Sequence, residues 1–228
     1  MQNRAKRFCA LSLLGLAATI AFGNPAVAAS GGCVIDRRER AVLTPVLHNI
    51  AARSRSTIVI ESRTDSSHFA KAFSLNELIL HEAASELSPQ MKAAPSGSVV
   101  ILPNPTPAIP PKAQHELEQE YSAKLNVPCN IPAMRSFSKH VLFEAPTHVR
   151  EMFLVTAPGK GWERFHKFFG KDAERITVSR VAFDRANHYA LVHVSAGISA
   201  NGAGGELFLL RRETGKWTIK RTFPTWTT

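Results

Sequence analysis

The clearest pattern in this chain is an alternation of apolar and polar positions through its last third. Four segments of this kind follow one another, at residues 176–183, 188–194, 206–211 and 216–221. A period of two residues is typical of strands with one buried face, and short connections join antiparallel neighbours. The pattern therefore predicts an antiparallel β-meander in the C-terminal half.

Apolar residues at helical spacing precede the meander and interrupt it once. The predicted helices cover residues 34–53, 74–88, 113–126 and 161–169, and short strands are predicted at 57–61 and 140–143. In the helix at 161–169, Trp162 and Phe165 begin an aromatic face with spacings of three and four. Such a face packs on a sheet or, alternatively, lines a ligand cavity. Helices around an antiparallel sheet give an α+β fold.

The first 28 residues have the pattern of a secretory signal peptide. A basic start is followed by the apolar run 8–22 and by small residues before a cleavage site between Ala28 and Ala29. The alternative is an uncleaved anchor, although the apolar run would rise only about 22 Å as a helix. Cleavage would leave one α+β domain at 29–228, in the periplasm or outside the cell, without a later transmembrane segment.

Removal of the signal peptide would also change the charge and the cysteine content. It takes away three basic residues and no acidic ones, so 25 basic and 18 acidic residues remain, a net charge of +7. Of the three cysteines, Cys9 would be lost and Cys33 and Cys129 would remain. An even number in an oxidising compartment favours a Cys33–Cys129 disulfide, and the alternative is two free thiols.

A proline-rich stretch divides the domain. Residues 89–112 contain seven prolines, which exclude a helix and a central strand. We interpret this stretch as a semi-rigid connection within one domain.

The C-terminal half carries a resemblance as well as a pattern. Its residues include Trp162 and Phe165, the run Ser179-Arg180-Val181-Ala182-Phe183, and Gly215-Lys216-Trp217. In this order they resemble a group of uncharacterised exported bacterial proteins with the pattern W…F…SRVGF…ALVYV…GxG…GKW. This chain has Ala182 where that pattern has glycine, and Gly204-Gly205-Glu206 replaces a loop often richer in cysteine. The resemblance implies a shared domain layout and no catalytic residue.

Several short patterns point weakly to chemistry. Ser136-Phe137-Ser138-Lys139 fits the S-x-x-K pattern of penicillin-recognising enzymes, but the companion motifs are absent. The glycines at 202–205 precede a predicted strand and not a helix, which favours a hairpin loop over a phosphate-binding loop. The histidines lack metal-ligand spacing. We therefore expect no metal site and no cofactor.

Arg180 is the least expected residue for a purely structural role, because it interrupts an apolar strand. A buried arginine needs a carboxylate or carbonyl partner, and Glu206 is one possible partner. The alternatives are a structural ion pair and a ligand-facing arginine. Arg180, His193 and Glu206 are accordingly the predicted ligand-binding residues.

Together these observations favour a non-enzymatic exported domain that binds a small ligand or a partner in the cell envelope. The alternative is a small periplasmic hydrolase that uses Ser179 or Ser136 with His193. We expect a monomer. We also expect no nucleic-acid partner, since the basic residues are spread along the chain and do not form a single block.

Overall fold

A seven-stranded mixed sheet forms the centre of the fold. The computed structural model describes residues 32–65, 74–75, 77–79, 109–125, 127–134, 137, 140–154, 157 and 159–228. The strands are β1 (Ile58–Glu61), β2 (Val141–Glu144), β3 (Glu174–Val178), β4 (Ala182–Phe183), β5 (Tyr189–Ser199), β6 (Gly202–Glu213) and β7 (Lys216–Thr227). The predicted signal peptide, its cleavage site at Ala28 and Ala29, and most of the proline-rich stretch lie outside the described residues.

The C-terminal strands form the expected antiparallel meander. The strand order is β2-β1-β3-β5-β6-β7, with the short β4 also paired to β5. Strands β3, β5, β6 and β7 pair antiparallel in sequence, whereas β1 is parallel to both β2 and β3. The α+β fold class is therefore confirmed, and the sheet is mixed because of its N-terminal strands.

Four helices whose bounds the described part of the chain gives pack on this sheet. They are α1 (Arg37–Arg53), α2 (Pro111–Lys124), α3 (Pro146–Phe153) and α4 (Lys160–Phe169). Helix α1 begins with a capping box, in which Asp36 and Glu39 each accept a hydrogen bond from the other's backbone N–H. Pro45 lies inside α1 without ending it. Leu75 and residues 77–79 are helical, and the rest of the helix predicted after Ser74 lies outside the described residues.

The two faces of the sheet carry different helices. On one face, α1 contributes Val42, Leu43 and Val46 to the main core. On the other face, α2 packs over Leu207, Leu209 and Phe223, and α3 and α4 pack over Val59 of β1. Phe165 and Phe169 of α4 are thus buried in a core and Trp162 packs against it, as their spacing predicts, whereas Phe168 is exposed.

The structure differs from the sequence prediction in two connections. The strand predicted at 176–183 is broken into β3 and β4, because the chain turns at Arg180 toward α1. The predicted glycine-rich loop is mostly strand: β5 continues to Ser199, and β6 already begins at Gly202. Only two residues, 200 and 201, form the turn.

The expected disulfide joins Cys33 to Cys129. Next to it, the Ile35 N–H donates to the Asn130 carbonyl at 3.0 Å, and the Asn130 N–H donates to the Cys33 carbonyl at 2.7 Å. The Cys129 N–H donates to the Thr64 hydroxyl, which follows β1. The disulfide therefore holds the start of the domain beside the end of β1.

No helix in the described part of the chain combines the length and hydropathy that a transmembrane span requires.

Candidate functional site

Ser179 and His193 lie together, but their geometry is that of a packed core. The Ser179 hydroxyl donates to the Arg180 carbonyl at 2.8 Å and accepts from the main-chain N–H of His193 at 2.9 Å. The imidazole Nε2 is 3.0 Å from the Thr225 hydroxyl. Ser179 and His193 are each only 2% exposed. A nucleophile must reach a substrate, so this pair lacks the open cleft that the hydrolase alternative requires. Ser136 lies outside the described residues.

Tyr121 of α2 packs against the same region. Burial raises the pKa of the Tyr121 phenol above its ordinary value of 10.0, and a hydrogen bond with Ser179 opposes this rise. Burial disfavours the charged phenolate, which explains the direction. The phenol is therefore a neutral part of the core near Ser179.

Arg180 forms a buried ion pair, but not with Glu206. Its Nε and Nη2 donate to the two carboxylate oxygens of Glu39 at 2.8 and 3.1 Å. Glu39 is 1% exposed, and Lys124 of α2 lies 3.7 Å from the same carboxylate. The proposed pairing with Glu206 is thus wrong, because the chain break after β3 directs Arg180 to the first turn of α1. The role that the geometry supports is structural: the pair fixes the β3–β4 connection to α1.

Glu206 lies at the opposite end of α1 and binds Arg53. The two side chains form a bidentate pair with distances of 3.1 and 2.7 Å. The hydrogen bond to Glu206 raises the pKa of Arg53, and burial opposes this effect. Glu39 and Arg53 are separated by about 21 Å along the helix at 1.5 Å per residue. The structure therefore does not bring Arg180 and Glu206 into one site.

His193 is separated from both by the sheet. Its neighbours Val192 and Val194 in β5 contribute to the core beneath α1. Side chains alternate between faces along a strand, so His193 points to the opposite face. The three predicted ligand-binding residues accordingly belong to three different surroundings.

A cavity with a different set of polar residues lies on the His193 face of the sheet. Its volume is about 260 Å³, and it lies between Trp162 of α4 and Trp226 of β7. The strands contribute Arg175 and Thr177 from β3 and Ser195 from β5. We call this cavity the arginine pocket. It is lined by Trp162, Arg175, Thr177, Ser195, Ala196, Gly197, Ser199, Ala200, Ala203, Trp226 and Thr228.

Arg175 is held in a fixed position at this pocket. Its Nε donates to the carboxylate of Glu61, a buried residue at the end of β1. The guanidinium also lies 5.1 Å from the centre of the Phe153 ring. Within the described residues, neither terminal nitrogen of Arg175 has a hydrogen-bond partner, and the side chain is 27% exposed. These nitrogens are therefore available as donors to a ligand.

Small residues and a bulge make room for the pocket. A Cβ on Gly197 would lie 3.1 Å from the Trp162 ring, so the glycine allows the indole to cover β5. Gly205 of β6 pairs with Trp226 of β7, whereas the next residue, Glu206, pairs with Pro224. Thr225 is therefore an extra residue in β7. Such a bulge lets consecutive side chains share a face. A Cβ on Gly205 would meet both Thr225 and Trp226.

Sequence reasoning did not select Arg175, Thr177 or Trp226 as site residues. The signal was present in part, because Arg175 and Thr177 alternate with the apolar Ile176 and Val178 and so mark a polar stripe on one face. Glycines inside a strand are a second signal, since they often mark the close approach of another group. The bulge that turns Trp226 toward the pocket has no signal in the sequence.

No group of three or more histidine, cysteine, aspartate or glutamate side chains in the described ranges could hold a metal ion. Comparison of the chain with protein-family models, with curated proteins and with solved structures gave no match.

Proposed function

We propose that this chain is an exported, non-enzymatic binding domain of the cell envelope, and that it binds a small carboxylate-bearing ligand in the arginine pocket. The observation that carries the proposal is Arg175, which lines the cavity and whose Nε donates to Glu61, while its two terminal nitrogens have no hydrogen-bond partner among the described residues. The planar guanidinium fork matches a carboxylate.

The other groups of the pocket suit such a ligand. The hydroxyls of Thr177 and Ser195 can donate to carboxylate oxygens that Arg175 does not bind. Trp162 and Trp226 supply apolar walls for the remainder of the molecule. The volume of about 260 Å³ limits the ligand to roughly one ring, since sites for drug-sized molecules begin near 300 Å³.

The compartment is part of the same proposal. The N-terminal pattern of a signal peptide and the Cys33–Cys129 disulfide both support export, and without the first 28 residues the net charge is +7. A basic domain would also attract acidic envelope components.

Tryptophan fluorescence provides a direct test. The chain has three tryptophans, of which Trp162 and Trp226 line the pocket while Trp217 contacts Phe183 elsewhere. In a Trp217→Phe background, benzoate should change the emission in a saturable way, and neutral benzamide should bind at least tenfold more weakly. Hydrogen bonds to charged groups contribute about 1.5–3 kcal/mol, which corresponds to this factor or more.

Two variants separate the charge from the cavity. Arg175→Gln should weaken benzoate at least tenfold, whereas Arg212→Gln, an exposed arginine of β6, should leave the affinity unchanged. Ala203→Leu fills the pocket without changing any charge and should also abolish binding. Circular dichroism checks that each variant is folded. Equal affinity for benzoate and benzamide, or equal effects of the two arginine variants, would refute the proposal.

A further inference from the structure

A second cavity lies on the opposite face of the sheet, under the C-terminal end of α1. Its volume is about 330 Å³. Its apolar lining consists of Ile50, Ile176, Val194, Ala196, Pro224 and Trp226, of which Ala196 and Trp226 also line the arginine pocket. We call it the apolar pocket.

The glycines of β6 explain why this space is empty of side chains. Gly204 lines the pocket and contributes no side chain to it; a Cβ added there would lie 3.3 Å from the Trp226 carbonyl oxygen and 3.7 Å from the Thr227 side chain. On the same face, Ala196 of β5 offers only a methyl group. The end of α1 therefore covers strands that have little side-chain volume beneath it.

Four polar side chains at this pocket, those of Arg53, Ser54, Glu174 and Glu206, form contacts with one another in pairs. Arg53 and Glu206 form their bidentate pair, and the Ser54 hydroxyl donates to Glu174 at 2.6 Å. The Arg53 and Glu206 side chains are 51% and 38% exposed, so the pair lies at the solvent side. A charged ligand would have to break these contacts and lose its own hydration, which is costly in apolar surroundings.

We propose that the apolar pocket is a second binding site, which takes an uncharged apolar molecule of one or two rings, or an alkyl chain of similar volume. Apolar cavities stay dry and bind such molecules; one of about 150 Å³ is large enough for benzene. The present cavity is roughly twice that size. The Arg53–Glu206 pair selects against charged molecules at the entrance. This inference does not depend on the arginine pocket or on its carboxylate ligand.

The test compares neutral apolar probes with charged molecules of similar size. Saturation-transfer NMR and calorimetry with n-hexanol and toluene should show saturable binding to the full chain. Hexanoate and hexylamine, which have six carbons like n-hexanol but carry a charge, should bind at least tenfold more weakly than n-hexanol. Comparable affinity for hexanoate, or no saturable binding of n-hexanol and toluene, would overturn the proposal.

Two filling variants locate the site. Ile50→Phe adds volume from the helix, and Gly204→Val adds it from the strand. Each should reduce toluene affinity at least tenfold while benzoate binding is retained. Leu154→Phe enlarges an exposed side chain outside the pocket and should have no effect. If folded filling variants bind toluene as the parent does, the assignment of the site is wrong. Should both fail to fold, the comparison of n-hexanol with hexanoate still decides the proposal.

Discussion

Replacement of Arg180 by methionine would leave the carboxylate of Glu39 buried without its bidentate partner. Three weaker contacts would remain: Lys124 at 3.7 Å, the Val181 N–H at 3.4 Å and the Asp36 N–H at 3.3 Å. Removal of one partner from a buried ion pair costs about 3–5 kcal/mol. Because Lys124 stays close and Arg180 is 16% exposed, we expect a loss of about 2–4 kcal/mol.

The double variant Glu39→Met/Arg180→Met separates the ion pair from the individual side chains. Replacement of a whole buried pair by apolar residues is often neutral or stabilising, so this variant should be more stable than Arg180→Met alone. It still loses the capping-box contact of α1, which is worth about 1 kcal/mol. The coupling between the two positions should therefore exceed about 1 kcal/mol.

Urea denaturation of the oxidised protein, followed by far-ultraviolet circular dichroism, measures these differences. With a slope of about 2 kcal/mol per molar urea, Arg180→Met should lower the midpoint by about 1–2 M. Arg212→Met, at an exposed position, is the control and should shift the midpoint little. A loss below about 1 kcal/mol for Arg180→Met, or additive losses in the double variant, would show that the pair is not a structural clamp.

Three further predictions follow from other contacts. Replacement of Cys33 and Cys129 by serine should lower the free energy of unfolding by about 2–5 kcal/mol, since the linked positions are 96 residues apart. Mass spectrometry of the oxidised parent, treated with an alkylating reagent under non-reducing conditions, should find neither cysteine alkylated. Because the pKa of Tyr121 is raised in the fold, its protonated form stabilises the protein below about pH 10. This contribution is lost as the pH rises further, by up to about 1.4 kcal/mol per pH unit. Denaturation between about pH 9 and pH 11.5 should show the loss in the parent and in Tyr189→Phe but not in Tyr121→Phe. Gly205→Ala should cost about 1–3 kcal/mol in a thermal or urea melt, because the new Cβ would overlap the Trp226 indole nitrogen and lie 2.6 Å from the Thr225 hydroxyl and 2.7 Å from the His193 ring. Gly204→Ala should cost less, because its new Cβ would approach only the Trp226 carbonyl oxygen, at 3.3 Å, and equal losses would contradict the packing described for these two glycines.

The arginine pocket shows where prediction from the sequence ended. The polar alternation of Arg175 and Thr177 is visible in the sequence, but Glu61, which holds Arg175, is 114 residues away. No local pattern relates the two. The same holds for Arg180, whose partner Glu39 is 141 residues away and also caps α1. The apolar surroundings of Arg180 in the sequence were enough to predict an ion pair. They could not identify Glu39 as the partner.

The sequence by itself determined the elements whose cause is local. Alternation with period two marks the C-terminal strands, the spacing of Trp162 and Phe165 marks α4, and Cys33 and Cys129 follow as a pair once the N-terminal segment is set aside. Only the tertiary structure decided the parallel pairing of β1, the bulge at Thr225 and the two cavities. The cavities lie where small side chains leave space between helices and sheet, and all three features are settled by packing between segments distant in the sequence.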